Sequence, residues 1–148
     1  MPRVFNNSLQ KAFSQTHRFV LNLTNGRVTG KFGSAPVLIL TSLGRKSGEP
    51  RTTPLFYIQE GGSYVVAASN AGRSYHPAWY LNLRDDPAAS VKIGGQEIAV
   101  RASTATPEER DRLWPRFDQM FKGYAGYRAK TERDIPLVIL RPFDTIAP

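Results

Sequence analysis

Two pairs of strand-like runs, each joined by little more than a Gly-Gly step, constrain this chain more than any other feature. Tyr64 to Ser69 follows Thr52 to Ile58 across Gly61-Gly62, and Gln96 to Ala102 follows Ser90 to Ile93 across Gly94-Gly95. So short a connection returns the second run alongside the first, because parallel neighbours need a crossover of about a dozen residues. The sheet these runs build is antiparallel. Two further runs belong to it: Pro36 to Ser42, which is rich in branched residues, and Ile135 to Leu140. Pro54 lies inside the Thr52 to Ile58 run and donates no ladder hydrogen bond, which assigns that strand to an edge or a bulge.

Helices fill the intervals. Pro77 to Leu83 reads as a short helix, with Pro77 at its first turn and Pro87 past its end. Thr106-Pro107-Glu108-Glu109 carries a capping box and opens a helix with Leu113, Phe117, Met120 and Phe121 on one face, kinked at Pro115. Phe5, Leu9, Phe13, Val20 and Leu21 sit at loose amphipathic spacing, predicting an N-terminal helix over 5–21; the glycine-punctuated 22–34 reads as a loop. The expected architecture is α+β: about six antiparallel strands in a sheet or small barrel, an N-terminal helix and two further helices. Residues 1–34 form the leading helix and loop, and 35–148 the barrel, within one domain overall. No strand–helix–strand rhythm and no G-x-G-x-x-G appear, which argues against a doubly wound nucleotide fold.

Composition narrows the function. At 148 residues a domain buries roughly 70% of its unfolded surface and needs no staple. There are no cysteines and only His17 and His76, so thiolate sites are excluded and no metal site is expected. Met1 to Leu23 lacks the apolar core and small-residue cleavage site of a signal peptide, and no apolar run, Val37 to Leu40 among them, approaches the ~20 residues of a membrane span. A cytoplasmic protein is the expectation. The net charge of +8 and a pI near 10.1 point to an anionic partner: nucleic acid, an acidic membrane surface or a phosphorylated small molecule.

The cations concentrate in one place. Arg45, Lys46 and Arg51 fall within seven residues, beside Ser47 and between Gly44 and Gly48. Guanidinium groups bind phosphate through paired hydrogen bonds, and glycines let backbone amides turn toward an anion. Taken alone the turn is equally a solvated basic hairpin loop, and it is not a P-loop, because Ile39 stands where the first glycine would be. Ala67-Ala68-Ser69-Asn70-Ala71-Gly72-Arg73 offers small residues that leave room for a planar ring, or simply a tight turn. Trp79 and Asn82 share a helix face that either stacks on a ring or packs in the core. Tyr124 and Tyr127, set among glycines, form either a lid or a packed edge. No serine–histidine–aspartate arrangement and no paired carboxylates are evident, so an enzyme of these parts must borrow its reactive centre from a cofactor.

These segments in this order resemble the deazaflavin-dependent nitroreductase family. The resemblance runs from Pro36 to Ser42 through Gly44-Arg45-Lys46-Ser47-Gly48-Glu49-Pro50-Arg51, Pro54-Leu55-Phe56, Ala67-Ala68-Ser69 and Pro77 to Leu83, and on to Trp114-Pro115, Tyr124/Tyr127 and Asp134-Ile135-Pro136. It implies a split β-barrel like those of flavin reductases and FMN-binding oxidoreductases. It further implies the coenzyme F420, an 8-hydroxy-5-deazaflavin with a phosphate and an oligoglutamate tail, transferring hydride to a quinone-like or nitroaromatic acceptor. On that resemblance Arg45, Lys46, Ser47 and Arg51 cradle the phosphate and tail. Thr52, Thr53, Pro54, Leu55, Phe56, Ala67, Ala68, Ser69 and Asn70 line the ring and ribityl chain. Ala78, Trp79 and Asn82 close the other side. Tyr124 sits over the ring, and Tyr127 and Ser69 face the acceptor; Tyr124 or Ser69 would hydrogen-bond its developing oxyanion. Two residues depart from the pattern: Asn70 where lysine occurs, and Phe121 where the nitroimidazole-reducing member has tyrosine. The amphipathic 5–21 segment either packs on the barrel as a helix or makes peripheral contact with a membrane. Two alternatives stay open: FMN in place of the deazaflavin, and a non-catalytic basic barrel that stacks nucleic-acid bases on Tyr57 and Tyr64.

Overall fold

The structure is a computed structural model that describes residues 31–32 and 35–143. The expected helix over 5–21 lies outside the described residues, as does most of the expected loop, within which Lys31–Phe32 forms a two-residue strand, β1. The remaining strands are β2 (Ala35–Leu43), β3 (Pro50–Phe56), β4 (Ile58–Glu60), β5 (Ser63–Ala67), β6 (Ala88–Ile93), β7 (Gln96–Thr104) and β8 (Leu137–Pro142). All pairings are antiparallel, in the order β1-β2-β6-β7-β8-β5-β4, with β3 on β2 alone. Among the described residues β3 thus has one partner, the edge position that Pro54 demands; Pro54 stands opposite Ile39.

The single strand expected over Thr52 to Ile58 is two. The break falls at Tyr57, which the β2–β3 register sets opposite Pro36: its N–H donates to the Pro36 carbonyl at 3.2 Å, and proline has no N–H to return the bond, so the ladder ends there. Before it the chain pairs with β2; after it, β4 forms the Gly61-Gly62 hairpin with β5. One run therefore serves two neighbours, which curls the sheet into a half-barrel.

Both faces of that sheet are buried, as its residue alternation requires. Val66, Val138 and Leu140 point into one core with Leu38, Leu40 and Val100, closed by Trp79, Tyr80 and Leu83 of helix α1 (Ala78–Asp85). Val65, Leu137 and Ile139 point the other way, against Leu113, Trp114 and Phe117 of α2 (Pro107–Met120) and Tyr124 of α3 (Gly123–Lys130). The capping box of α2 forms in full: Thr106 Oγ1 accepts from the Glu109 amide at 3.2 Å, and Glu109 Oε1 accepts from the Thr106 amide at 2.9 Å. α2 continues through Pro115 to Met120. The Tyr124/Tyr127 segment, expected as either a lid or a packed edge, is helix α3: its two glycines do not outweigh the packing of Tyr124 into the second core, where it is 5% exposed.

Candidate functional site

The β2–β3 hairpin carries the site at its two ends. At the turn, the Gly44 amide donates to the Glu49 carbonyl and the Gly48 amide to the Gly44 carbonyl, both at 2.8 Å. Gly48 has φ +73°, where a side chain would be strained, and a Cβ on Gly44 would lie 2.8 Å from Ser47 Oγ. Ser47 Oγ accepts from the Glu49 amide (3.1 Å) and from Arg51 Nη2 (3.2 Å). Asn82 ties the turn to α1: its Oδ1 accepts from the Arg45 amide at 3.1 Å and from Arg45 Nη1 at 3.3 Å, and its Nδ2 donates to Ser42 Oγ at 3.4 Å. Arg45, Lys46 and Arg51 are exposed. Among the described residues the ion pairs join other groups, and none includes these three. The turn is a pre-shaped cationic cradle with unneutralised charge.

From Arg51 to Phe56 β3 advances roughly 17 Å at about 3.3 Å per residue. Its last three residues, Pro54 to Phe56, lie roughly 10 to 17 Å along the strand from Arg51 and border a cleft of ≈ 470 Å³, within the range of small-molecule sites. Pro54, Leu55 and Phe56 of β3, Ala67 at the end of β5, and Ser69 and Asn70 beyond it form part of its lining. Trp79 of α1, and Tyr124 and Tyr127 of α3, complete what the resemblance placed there. Thr52 and Thr53 lie nearer the turn, opposite Thr41 and Leu40. Ala78 is exposed at the start of α1, and Asn82 is buried behind the turn. Successive side chains point to opposite faces, so while Ala67 reaches the cleft, the Ala68 side chain is wholly buried in the core with Val66.

Tyr124 is the hub of the apolar end. Its ring meets Phe117 at 5.4 Å, Phe121 at 5.3 Å, Trp114 at 5.9 Å and Tyr127 at 6.0 Å, with interplanar angles that are mostly near edge-on. Burial first, and the neighbouring Tyr127 second, push its phenol pKa far above the ordinary value. Its hydroxyl therefore stays protonated and available as a donor across the working pH range.

The wall after β5 has an unusual backbone. Asn70 (φ 49°), Ala71 (φ 54°) and Gly72 (φ 79°) are all left-handed, in a 3-10 turn over Asn70–Gly72. Gly72 is pressed on α3: a Cβ there would meet the Tyr127 carbonyl oxygen at 2.9 Å and Tyr127 Cα at 3.0 Å. Residue types alone did not mark Val37, Pro77 or Phe121 as lining; Ala71 was legible only within the run of small residues after β5, and Arg73 only as a nearby cation. Val37 enters because the β2–β3 register sets it opposite Phe56. Phe121 enters because the chain turns back at Gly123, against which its ring packs. His76 lies beside Tyr80, with ring centroids 4.9 Å apart, and its Nδ1 is 3.1 Å from Arg133 Nη1. Tyr57 and Tyr64, the rings a nucleic-acid platform would need, pack on each other at 5.7 Å against the first core. Among the described residues no group of histidines and carboxylates could hold a metal ion.

The curled antiparallel half-barrel, with a cationic turn and an aromatic cleft on one hairpin, belongs to the split-barrel fold class. Comparison with known proteins narrows the class. The family model described as F420H(2)-dependent quinone reductase matches residues 13–142. A Mycobacterium tuberculosis protein provisionally named F420H(2)-dependent quinone reductase is 40% identical over 107 residues, 72% of this chain and 90% of that one. Another from the same organism, named F420H(2)-dependent quinone reductase, is 34% identical over 128 residues, covering 84% of this chain and 86% of its own. A solved F420-H2-dependent reductase superposes with TM-score 0.66 at 36% identity, over 72% of this chain and 94% of its own. The chain belongs to the F420H(2)-dependent quinone reductase family, a family of oxidoreductases whose coenzyme is F420.

Proposed function

We propose that this protein reduces quinones with F420H2, holding the anionic tail of the coenzyme on Arg45, Lys46, Ser47 and Arg51 and its ring in the cleft below Trp79. One observation carries the reading: unneutralised cations and an aromatic cleft lie at opposite ends of one hairpin, roughly 10 to 17 Å apart along β3. An extended coenzyme with a charged tail and a flat ring needs that spacing, so the residues present fit it. When bound, the reduced deazaflavin supplies a hydride. The chain's own contribution is placement: walls of Pro54, Leu55, Phe56 and Trp79 exclude water around the ring, which strengthens every polar contact inside. Tyr124 keeps its proton, and Ser69 and Tyr127 stand beside it on the same cleft, so these hydroxyls serve as hydrogen-bond donors to the acceptor oxygen that gains charge. Donors aimed at that oxygen lower the barrier more than donors to the ground state do.

The first acceptors to try are lipid-soluble and simple quinones. Nitroaromatics are a second class of the same size, but Phe121 presents a ring without a hydroxyl, which favours the quinones. Among the described residues no helix is long and apolar enough to cross a membrane; we assign contact with a membrane surface, and so access to lipid-soluble quinones, to the amphipathic 5–21 segment of an otherwise cytoplasmic protein. FMN is the competing cofactor, and a yellow protein with flavin absorption would favour it. The deciding test is titration of oxidised and reduced F420 followed by fluorescence, then quinone-dependent F420H2 oxidation. Micromolar binding with turnover is expected; no fluorescence change at micromolar F420 would overturn the proposal.

A further inference from the structure

We propose that Arg133, which does not line the cleft, is the positioning residue that holds its Ser69–His76 wall in the left-handed conformation the site requires. That this wall faces the coenzyme or acceptor rests on the function proposed above; that Arg133 sets its shape does not.

Left-handed backbone at a residue with a Cβ is disfavoured, and it persists only where the surroundings over-determine it. Here two such residues, Asn70 and Ala71, stand in sequence before Gly72. Local bonds are few: Gly72 N–H to the Ser69 carbonyl at 2.9 Å, Arg73 N–H to the Asn70 carbonyl at 3.1 Å, Asn70 Nδ2 to the Tyr75 carbonyl at 3.0 Å, and Arg73 Nη1 to Asn70 Oδ1 at 3.4 Å. One guanidinium spans the rest. Arg133 Nη2 donates to the carbonyls of Ser69 (2.9 Å) and Ala68 (3.2 Å), Nε to that of Arg73 (2.9 Å), and Nη1 to His76 Nδ1 at 3.1 Å. Both ends of the turn thus fasten to a planar fork delivered from the segment before β8, and Gly72 abuts α3 between them. No lysine reproduces this, because an ammonium is a single point with three donors and no fixed plane.

The fourth bond makes the fastening sensitive to acid. Arginine only donates, so His76 Nδ1 must accept and the imidazole proton resides on Nε2. Protonating Nδ1 would remove the acceptor and set two cations 3.1 Å apart. The groups facing His76 are Arg133, Arg84 and the Tyr80 ring, and burial first, then Arg133 and Arg84, lower its pKa. Because the folded pKa is depressed, the fastening is complete above the ordinary histidine value of about 6.5 and weakens as pH falls through the lower folded value.

Amide hydrogen exchange on the full chain without coenzyme tests this independently of turnover. In Arg133→Ala the Gly72 and Arg73 amides should exchange on the order of tenfold faster or more, while those of β5 and β8 stay protected. Millimolar guanidinium should restore their protection and, with it, F420 affinity; Arg133→Lys should not. His76→Gln keeps an acceptor but cannot titrate, so it should retain wild-type protection and lose the acid step at Gly72 and Arg73. Unchanged exchange at 70–73 in Arg133→Ala, loss spread evenly over the sheet, or the same acid step in wild type and His76→Gln would each overturn the assignment. Exchange behaving as expected in a protein that never binds F420 would remove the proposed function and leave the role of Arg133 standing.

Discussion

The two ends of the β2–β3 hairpin are built on opposite principles. At the turn, Gly44 to Arg51 is open to water; its shape comes from backbone bonds and from Ser47 and Asn82, while Arg45 and Arg51 lean on neutral partners. At the other end, Phe56, Phe121, Tyr124 and Tyr127 interlock with Trp114 and Phe117, and packing supplies the shape. The first end acts through charge, which salt screens over a Debye length of about 10 Å at 0.1 M. The second acts through contact, which salt does not screen. An anionic tail needs only a charged berth, whereas a reacting ring has to be held within a fraction of an ångström. Rigidity is concentrated where the chemistry needs it.

The largest effect should come from the packed end. Phe117 is fully buried, and Phe117→Ala should lower unfolding free energy by about 3–5 kcal/mol in urea melts, irrespective of salt. A loss that varied with salt would erase the distinction between the ends. Next, Gly72→Ala forces a Cβ to 2.9 Å from the Tyr127 carbonyl oxygen at φ +79°. Destabilisation of about 2 kcal/mol is expected, together with weaker coenzyme binding, because α3 and the turn shift apart. Arg45→Ala and Lys46→Ala should leave the unfolding midpoint in place yet weaken F420 binding about tenfold each at low ionic strength. That difference should shrink in high salt, and a salt-independent loss would show that the turn acts through shape instead. The smallest effect is a gain. Ala71→Gly relieves a left-handed alanine but frees the unfolded chain, for a net stabilisation of about 0.5 kcal/mol by thermal melts.

Much of the scaffold is readable from local chemistry. The Gly-Gly steps, the Pro54 edge strand, the capping box at Thr106 and the α1 helix all rest on interactions within a few residues, so the sequence carries them. The cationic turn is readable for the same reason. Other features depend on partners far along the chain. The strand break at Tyr57 answers to Pro36, and helix α3 exists because a core built from β5, β8 and α2 receives Tyr124. Of two adjacent alanines, Ala67 reaches the cleft and Ala68 the core, a choice that only the facing of the sheet makes.

By itself the sequence determined an antiparallel α+β domain with a concentrated basic turn, since hairpin closure, caps and charge spacing are short-range effects. Only the tertiary structure decided which residues meet across the cleft. Val37 gains Phe56 by strand register, and Arg133 reaches Ser69, Arg73 and His76 across some sixty positions of chain. Contacts of that kind are set by how both faces of the curled sheet are buried at once. No window of neighbouring residues contains that information.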